Sequence, residues 1–104
     1  MGIIKHLIEV KYQNAQNCSR DLETIATIVK NLADNDIADI LNTTNAAWDG
    51  DSSVICCQKI NGLKNSVKGT GISLSNASRA TKIISDNVHR AEMRTLEIIY
   101  SRKY

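Results

Sequence analysis

Residues 45–53 read NAAWDGDSS and hold the chain's one tryptophan, Trp48, two residues ahead of Gly50. Asp49-Gly50-Asp51 is a turn signal: Gly50 takes a positive φ at no steric cost, and Asp51, Ser52 or Ser53 offers an oxygen to the first amides of a following helix. A Trp-x-Gly by itself recurs by chance. Its meaning depends on the flanks, and both flanks read as helix.

Upstream, positions 8, 11, 15, 18, 22, 25, 29 and 32 hold Ile, Lys, Ala, Cys, Leu, Ile, Val and Leu, a 3,4 spacing that is apolar at all but Lys11. That is a heptad seam on one helix. Past Leu32 the stripe moves to Ala33, Ile37, Ile40 and Leu41, the drift of a 3.6-residue helix read with a 3.5-residue ruler. Downstream, positions 60, 63, 67, 70, 74, 77, 81, 84, 88, 91, 95 and 98 hold only Ile, Leu, Val, Ala or Thr. Gly62, Gly69 and Gly71 each weaken a helix by about 1 kcal/mol relative to Ala, yet the seam keeps its phase across them, so the second helix is expected to continue, straight or bent near Gly69 to Gly71, the alternative being a break there into two helices.

The pattern predicts an all-α fold: an antiparallel two-helix hairpin with the Trp-x-Gly turn at its closed end, pairing into a four-helix dimer. Residues 1–104 form one domain, with helix 1 over about 4–44, the turn over about 45–52 and helix 2 over about 53–101. At the closed end Trp48 is expected to lie across the gap between the helices, with Ala46 and Ala47 leaving it room.

Composition agrees. The 104 residues include no Pro and no Phe and are 4% aromatic, too little for a thick sandwich or α/β core, while a Pro-free chain sustains long helices. The formal charge is +2, but residues 1–52 carry 4 Lys/Arg against 8 Asp/Glu and residues 53–104 carry 9 against 3. An acidic helix and a basic one complement each other on folding back, which argues against a nucleic-acid surface. Apolar runs are far shorter than the roughly 20 residues of a membrane span, so no stable membrane insertion is expected. The N-terminus lacks the charged, apolar, small-residue pattern of a cleaved signal peptide. Cys18, Cys56 and Cys57 have neither zinc-ligand spacing nor the even count of a disulfide framework and read as free thiols.

A chain of about this length, with two long helices and a central Trp48-x-Gly50, resembles the WXG100 family, the early-secreted-antigen-like small helical proteins of type VII secretion. The C-terminal HRAEMRTLEIIYSRKY is similar to the ends of WXG100-like proteins of Gram-positive bacteria. The resemblance implies a homodimer or heterodimer with another helical hairpin, or with the helical N-terminal domain of a toxin. It implies a type VII secretion ATPase as partner, and a cytoplasmic protein exported, without cleavage, to the medium or cell surface. It also implies a Tyr-x-x-x-Asp/Glu export signal, from which this chain departs: Tyr100 is followed four residues later by Tyr104, and Tyr12 by Gln16. A partner then supplies the signal, as in an escort of a larger toxin, or the signal is variant.

The residues argue for a partner independently. Ile28, Ile37, Ile40, Ile72 and Ile83 lie off both seams, and a lone hairpin has too little interior for them, so they are the expected partner interface. With the turn near Trp48, everything after about Arg94 overhangs; Arg94, Leu96, Ile99, Tyr100 and Tyr104 form the expected export or partner-contact tail. Arg90, Arg94, Arg102 and Lys103 also suit a helix C-terminus by the dipole rule alone.

Catalysis is not expected. A hairpin offers no deep concavity, and no phosphate loop, nucleophile elbow or metal-ligand spacing occurs. His6 and His89, with Glu9 and Glu92 a turn along, are the nearest approach to a site and read as solvated polar residues. No cofactor is expected. The alternative to a secretion role is an intracellular coiled-coil adaptor, which shows the same heptads but has no need of Trp-x-Gly.

Overall fold

The computed structural model describes residues 2–47 and 50–102; it contains two long helical stretches and, among the described residues, no strand. Helix α1 runs Gly2–Asn31, passes into a π-helical segment, Leu32–Ile37, and resumes as α2, Ala38–Ala47. Helix α3 runs Asp51–Ser101 without interruption, through all three interior glycines. Trp48, on which the sequence reading placed the turn's latch, lies outside the described residues.

Gly50 sits between α2 and α3 with φ +113°, a region closed to most side chains. Its carbonyl accepts the amides of Ser53 at 3.2 Å and Val54 at 3.3 Å, and the Ser53 hydroxyl at 2.9 Å. Ser53 thus ties the first turn back as a donor instead of accepting from free amides. Asp51 places its carboxylate in that turn, where the helix dipole favours it.

Two compact units are packed internally, one of residues 1–22 with 76–104, the other of residues 23–75. In the first, α1 and α3 run antiparallel, since contacts pair Glu9 with His89, Tyr12 with Asp86 and Ser19 with Ser78. In the second, Glu23 meets Ser75, Lys30 meets Gly71 and Asp34 meets Lys68, again in reverse order.

The inner face of α1 differs from the heptad seam in the sequence. Ile8, Ala15, Leu22 and Val29 are covered as expected, but Lys11, Cys18, Ile25 and Leu32 are exposed, and Tyr12, Ser19, Ala26 and Ala33 take the inner positions beside them. Ala26 and Ala33 are 0% exposed, and among the described residues no large side chain is fully buried. The physical reason is distance. Where two helix axes approach closely, the line of contact belongs to residues that keep the backbones from colliding, and larger aliphatics are displaced to the flanks. Gly71 shows how close: a Cβ built on it would stand 2.7 Å from Lys30 Cγ and 3.3 Å from the Ala26 carbonyl oxygen.

The π-helical segment accounts for the phase change that the sequence reading attributed to drift. A π turn takes one more residue than an α turn. Ala33 and Ile37 are both buried in it, and afterwards Leu41 and Thr44 are half-buried while Ile40 is exposed. Asp34, Asn35 and Asp36, whose short side chains compete with helical backbone bonds, occupy the segment.

Candidate partner-binding face

The unit of residues 1–22 with 76–104 holds its helices together through polar side chains. The Tyr12 hydroxyl donates to Asp86 at 2.8 Å, and its ring stacks on the His89 imidazole at 4.1 Å between centroids. His89 Nε2 lies 2.9 Å from Glu9, and Lys11 Nζ 2.6 Å from Glu92. Gln16 donates to Ser85 and, at 3.1 Å, to Asp86. Ser19 and Ser78 are reciprocal: Ser19 Oγ donates to the Ser78 carbonyl at 2.8 Å, and Ser78 Oγ to the Ser19 carbonyl at 2.6 Å. The bond to the Asp86 carboxylate, followed by desolvation and the charges of Asp86 and Glu9, raises the Tyr12 pKa above its ordinary 10.0.

On one side of this unit the helices part into an apolar groove of about 340 Å³. Ile8, Ala15, Thr81, Ile84 and Val88 line it together with Lys11, Tyr12, Ser85, His89 and Glu92. Ile84 is 61% exposed. Tyr12 and His89 also line a second, polar depression, with Asp86, Arg90, Met93, Arg94 and Glu97.

α3's twelve-position stripe, of which no member is charged, contributes Thr81, Ile84 and Val88 to the groove. The sequence reading assigned the whole stripe to the inside of the hairpin. In the structure only Ile60, Val67, Leu74 and Thr81 are half-buried, whereas Leu63, Thr70, Ala77, Ile84, Val88, Ala91, Thr95 and Ile98 are exposed. Gly71, Ser75, Ser78, Ser85, Glu92 and Leu96 occupy the covered positions beside them. Leu63, Ile84, Val88 and Ile98 are the exposed large side chains that sequence reasoning missed as surface. Their signal is present in the perfect heptad and its freedom from charge, a stripe wider than the contact made by one neighbouring helix.

The expected interface residues are divided. Ile28, Ile40, Ile72 and Ile83 are exposed. Ile37 is 7% exposed because the π turn draws it inward, and so belongs to the chain's own packing. In the expected tail, Arg94 and Ile99 are exposed and Tyr100 is half-covered, but Leu96 is 7% exposed, so α3 does not overhang at that level. Tyr104 lies outside the described residues. Gly50 is at the turn.

His6 is exposed and His89 half-buried. His89 is engaged by Glu9 and Tyr12, and among the described residues no three His, Cys, Asp or Glu side chains are grouped to hold a metal ion. Cys18 is exposed and Cys56 and Cys57 are half-buried, all as free thiols. No described helix is long and apolar enough to cross a membrane. Comparison with protein-family models, with curated proteins and with solved structures finds no match to the chain.

Proposed function

We propose that this chain is a WXG100-type helical hairpin, a type VII secretion substrate or the small escort of a larger secreted toxin, which acts by hairpin-on-hairpin binding and not by catalysis. The observation that carries the proposal is Gly50 at φ +113°, two residues after Trp48, joining two long helices whose large apolar side chains are turned outward. A helix pair held largely by small and polar residues, with many of its Ile, Leu and Val left exposed, is suited to binding a second helical surface. It offers little to a small-molecule substrate. On this reading the protein resides in the cytoplasm until a membrane ATPase exports it, and its partners are proteins, not nucleic acid.

The test is to express the tagged chain in its native cell, with and without the type VII ATPase, and to assay culture supernatant and copurifying proteins. ATPase-dependent appearance outside, or recovery with a toxin bearing a helical N-terminal domain, is the expected result. Retention inside the cell in both strains overturns the secretion role and favours the adaptor.

A further inference from the structure

We propose that the π-helical segment Leu32–Ile37 is a register switch within the unit of residues 23–75. It passes between π and α conformation, and in passing turns α2 about its own axis so that Ile40 replaces Leu41 on the inner face. The switch is a property of this unit alone and does not depend on whether the chain is exported.

The two registers follow from counting residues. A π turn holds one residue more than an α turn, so relaxing it in place rotates every residue beyond it by one position, about 100°, and moves it about 1.5 Å along the axis. With the π turn present, Ala33 and Ile37 are buried, Leu41 and Thr44 are half-buried, and Ile40 is 55% exposed. Without it, the seven-residue repeat that begins at Ala26 and Ala33 continues to Ile40. Ile37 and Thr44, four residues after Ala33 and Ile40, stay on the same face, and Leu41 leaves it. A branched aliphatic side chain is thereby exchanged for another of equal size, the kind of swap that packing tolerates best. The two registers are therefore close in free energy, as an element with two populated arrangements requires.

The surroundings hold one side of the segment and release the other. Before it, Lys30 donates to Ser75 at 2.8 Å and Ser75 to Glu23 at 3.2 Å, which fixes α1 against α3. Within it, Asp34 pairs with Lys68 at 3.1 Å, and both side chains are 47% exposed. Towards the turn, that is the last ion pair or side-chain hydrogen bond between the two helices among the described residues. Beyond it α2 contains no buried residue. Asp34, Asn35 and Asp36 are poor helix formers whose side chains compete for backbone groups, so neither conformation of the segment is strongly preferred. Gly50, at φ +113° and with nothing within 4 Å of a Cβ, leaves the connection free to take up the shift. The outer surface of α2 thus offers Ile40 in one register and Leu41 in the other.

The experiment is nuclear magnetic resonance of the full chain, with relaxation dispersion on the amides and methyl groups of residues 32–47. The variants are Ile40→Ala, Leu41→Ala and a deletion of Asn35, with helical content checked by circular dichroism. Expected in the wild type is microsecond-to-millisecond exchange in this segment, with a minor state of about 0.1–10%. Ile40→Ala should reduce that state about tenfold, since it removes the side chain that only the α register covers. Helix propensity alone accounts for about twofold. Leu41→Ala should do the opposite and make the minor register the major one, with Ile40 methyl groups gaining Overhauser contacts to α3. Deleting Asn35 removes the extra residue and leaves Leu41 inside an unbroken α-helix, so the exchange should vanish. The proposal is overturned if residues 32–47 show no exchange, if Ile40→Ala changes the minor state by no more than twofold, or if Ile40 stays exposed in Leu41→Ala. Exchange that persists without Asn35 also overturns it, because fraying of α2 then explains the motion. None of these outcomes bears on export, which the supernatant assay decides separately.

Discussion

The two units join antiparallel helices by different means. In residues 23–75 the contact is made by absence: Ala26 and Ala33 are 0% exposed, and Gly71 lies against the backbone of Ala26 and Lys30. Its principal polar feature is a relay in which Lys30 donates to Ser75 Oγ at 2.8 Å and Ser75 donates to Glu23 at 3.2 Å. In residues 1–22 with 76–104 the contact is made by reach, through Tyr12, Gln16, Glu9 and Lys11 spanning to Asp86, Ser85, His89 and Glu92. Close packing is intolerant of volume and indifferent to pH and salt. Polar laddering tolerates volume and depends on both. Neither scheme consumes most of the large aliphatic residues: Ile8, Ile37 and Leu96 are buried, whereas Ile28, Ile40, Ile72, Ile84 and Ile99 are among those left exposed.

The largest effect should come from adding volume where there is none. Ala26→Leu must displace backbone, and we expect a loss of about 2 kcal/mol or more, read as a fall in the urea midpoint. The same change at Ala91, exposed in the other unit, should cost under about 0.5 kcal/mol. Equal losses at the two positions would erase the distinction between the units.

Two glycines sharpen the same point. Gly69 has nothing within 4 Å of a Cβ, so Gly69→Ala should stabilise α3 by up to about 1 kcal/mol through helix propensity. Gly71 has the same propensity to gain, but its Cβ would press on Lys30 Cγ at 2.7 Å and on two backbone atoms of α1 at 3.3 Å. We expect Gly71→Ala to be destabilising by about 1 kcal/mol, opposite in sign to its neighbour two residues away. Thermal denaturation of the pair decides it.

These positions also show what the sequence conveys and what it conceals. Helical type, the long second helix and the turn at Gly50 were legible, because periodicity and glycine chemistry are local properties. The phase of the contact was not. Ile25 and Leu32 are the stronger apolar signals, yet Ala26 and Ala33 lie inside, since hydrophobicity ranks residues by their gain on leaving water and says nothing of how near two axes come. The π turn at Leu32–Ile37 was invisible for a related reason: one added residue per turn leaves composition unchanged and only rotates the residues beyond it. The stripe on α3 is legible, but only Ile60, Val67, Leu74 and Thr81 of it are half-buried, because a heptad does not state how much of its width the neighbouring helix covers.

In the polar unit the effects should be smaller and graded by burial. Ser78 is 5% exposed, and Ser78→Ala removes its donation to the Ser19 carbonyl, for a loss of about 1 kcal/mol. Glu92→Gln breaks an ion pair whose lysine is 65% exposed, and its cost should stay below about 0.5 kcal/mol and vanish at high salt. A large, salt-independent loss at Glu92 would mean that the ladder is structural in the way Ala26 is.

The smallest effect is a displaced titration. Tyr12 donates to Asp86, and that bond, with desolvation and the neighbouring carboxylates, favours the neutral phenol, so its pKa in the folded chain is raised above 10.0. A folded pKa above the unfolded one gives stabilisation that is fully present below the unfolded value and is lost as pH rises through the folded value. The unit containing Tyr12 should therefore be indifferent to pH near neutrality, as far as this group is concerned, and should weaken only above about pH 10. Phenolate absorbance should show a late component that disappears in Tyr12→Phe, and the alkaline loss of stability should shrink with it. If Tyr12→Phe leaves the alkaline end of the titration unchanged, the Tyr12 to Asp86 bond is not maintained in solution, and His89, which stacks on that ring, loses one of the two contacts that hold it in the ladder.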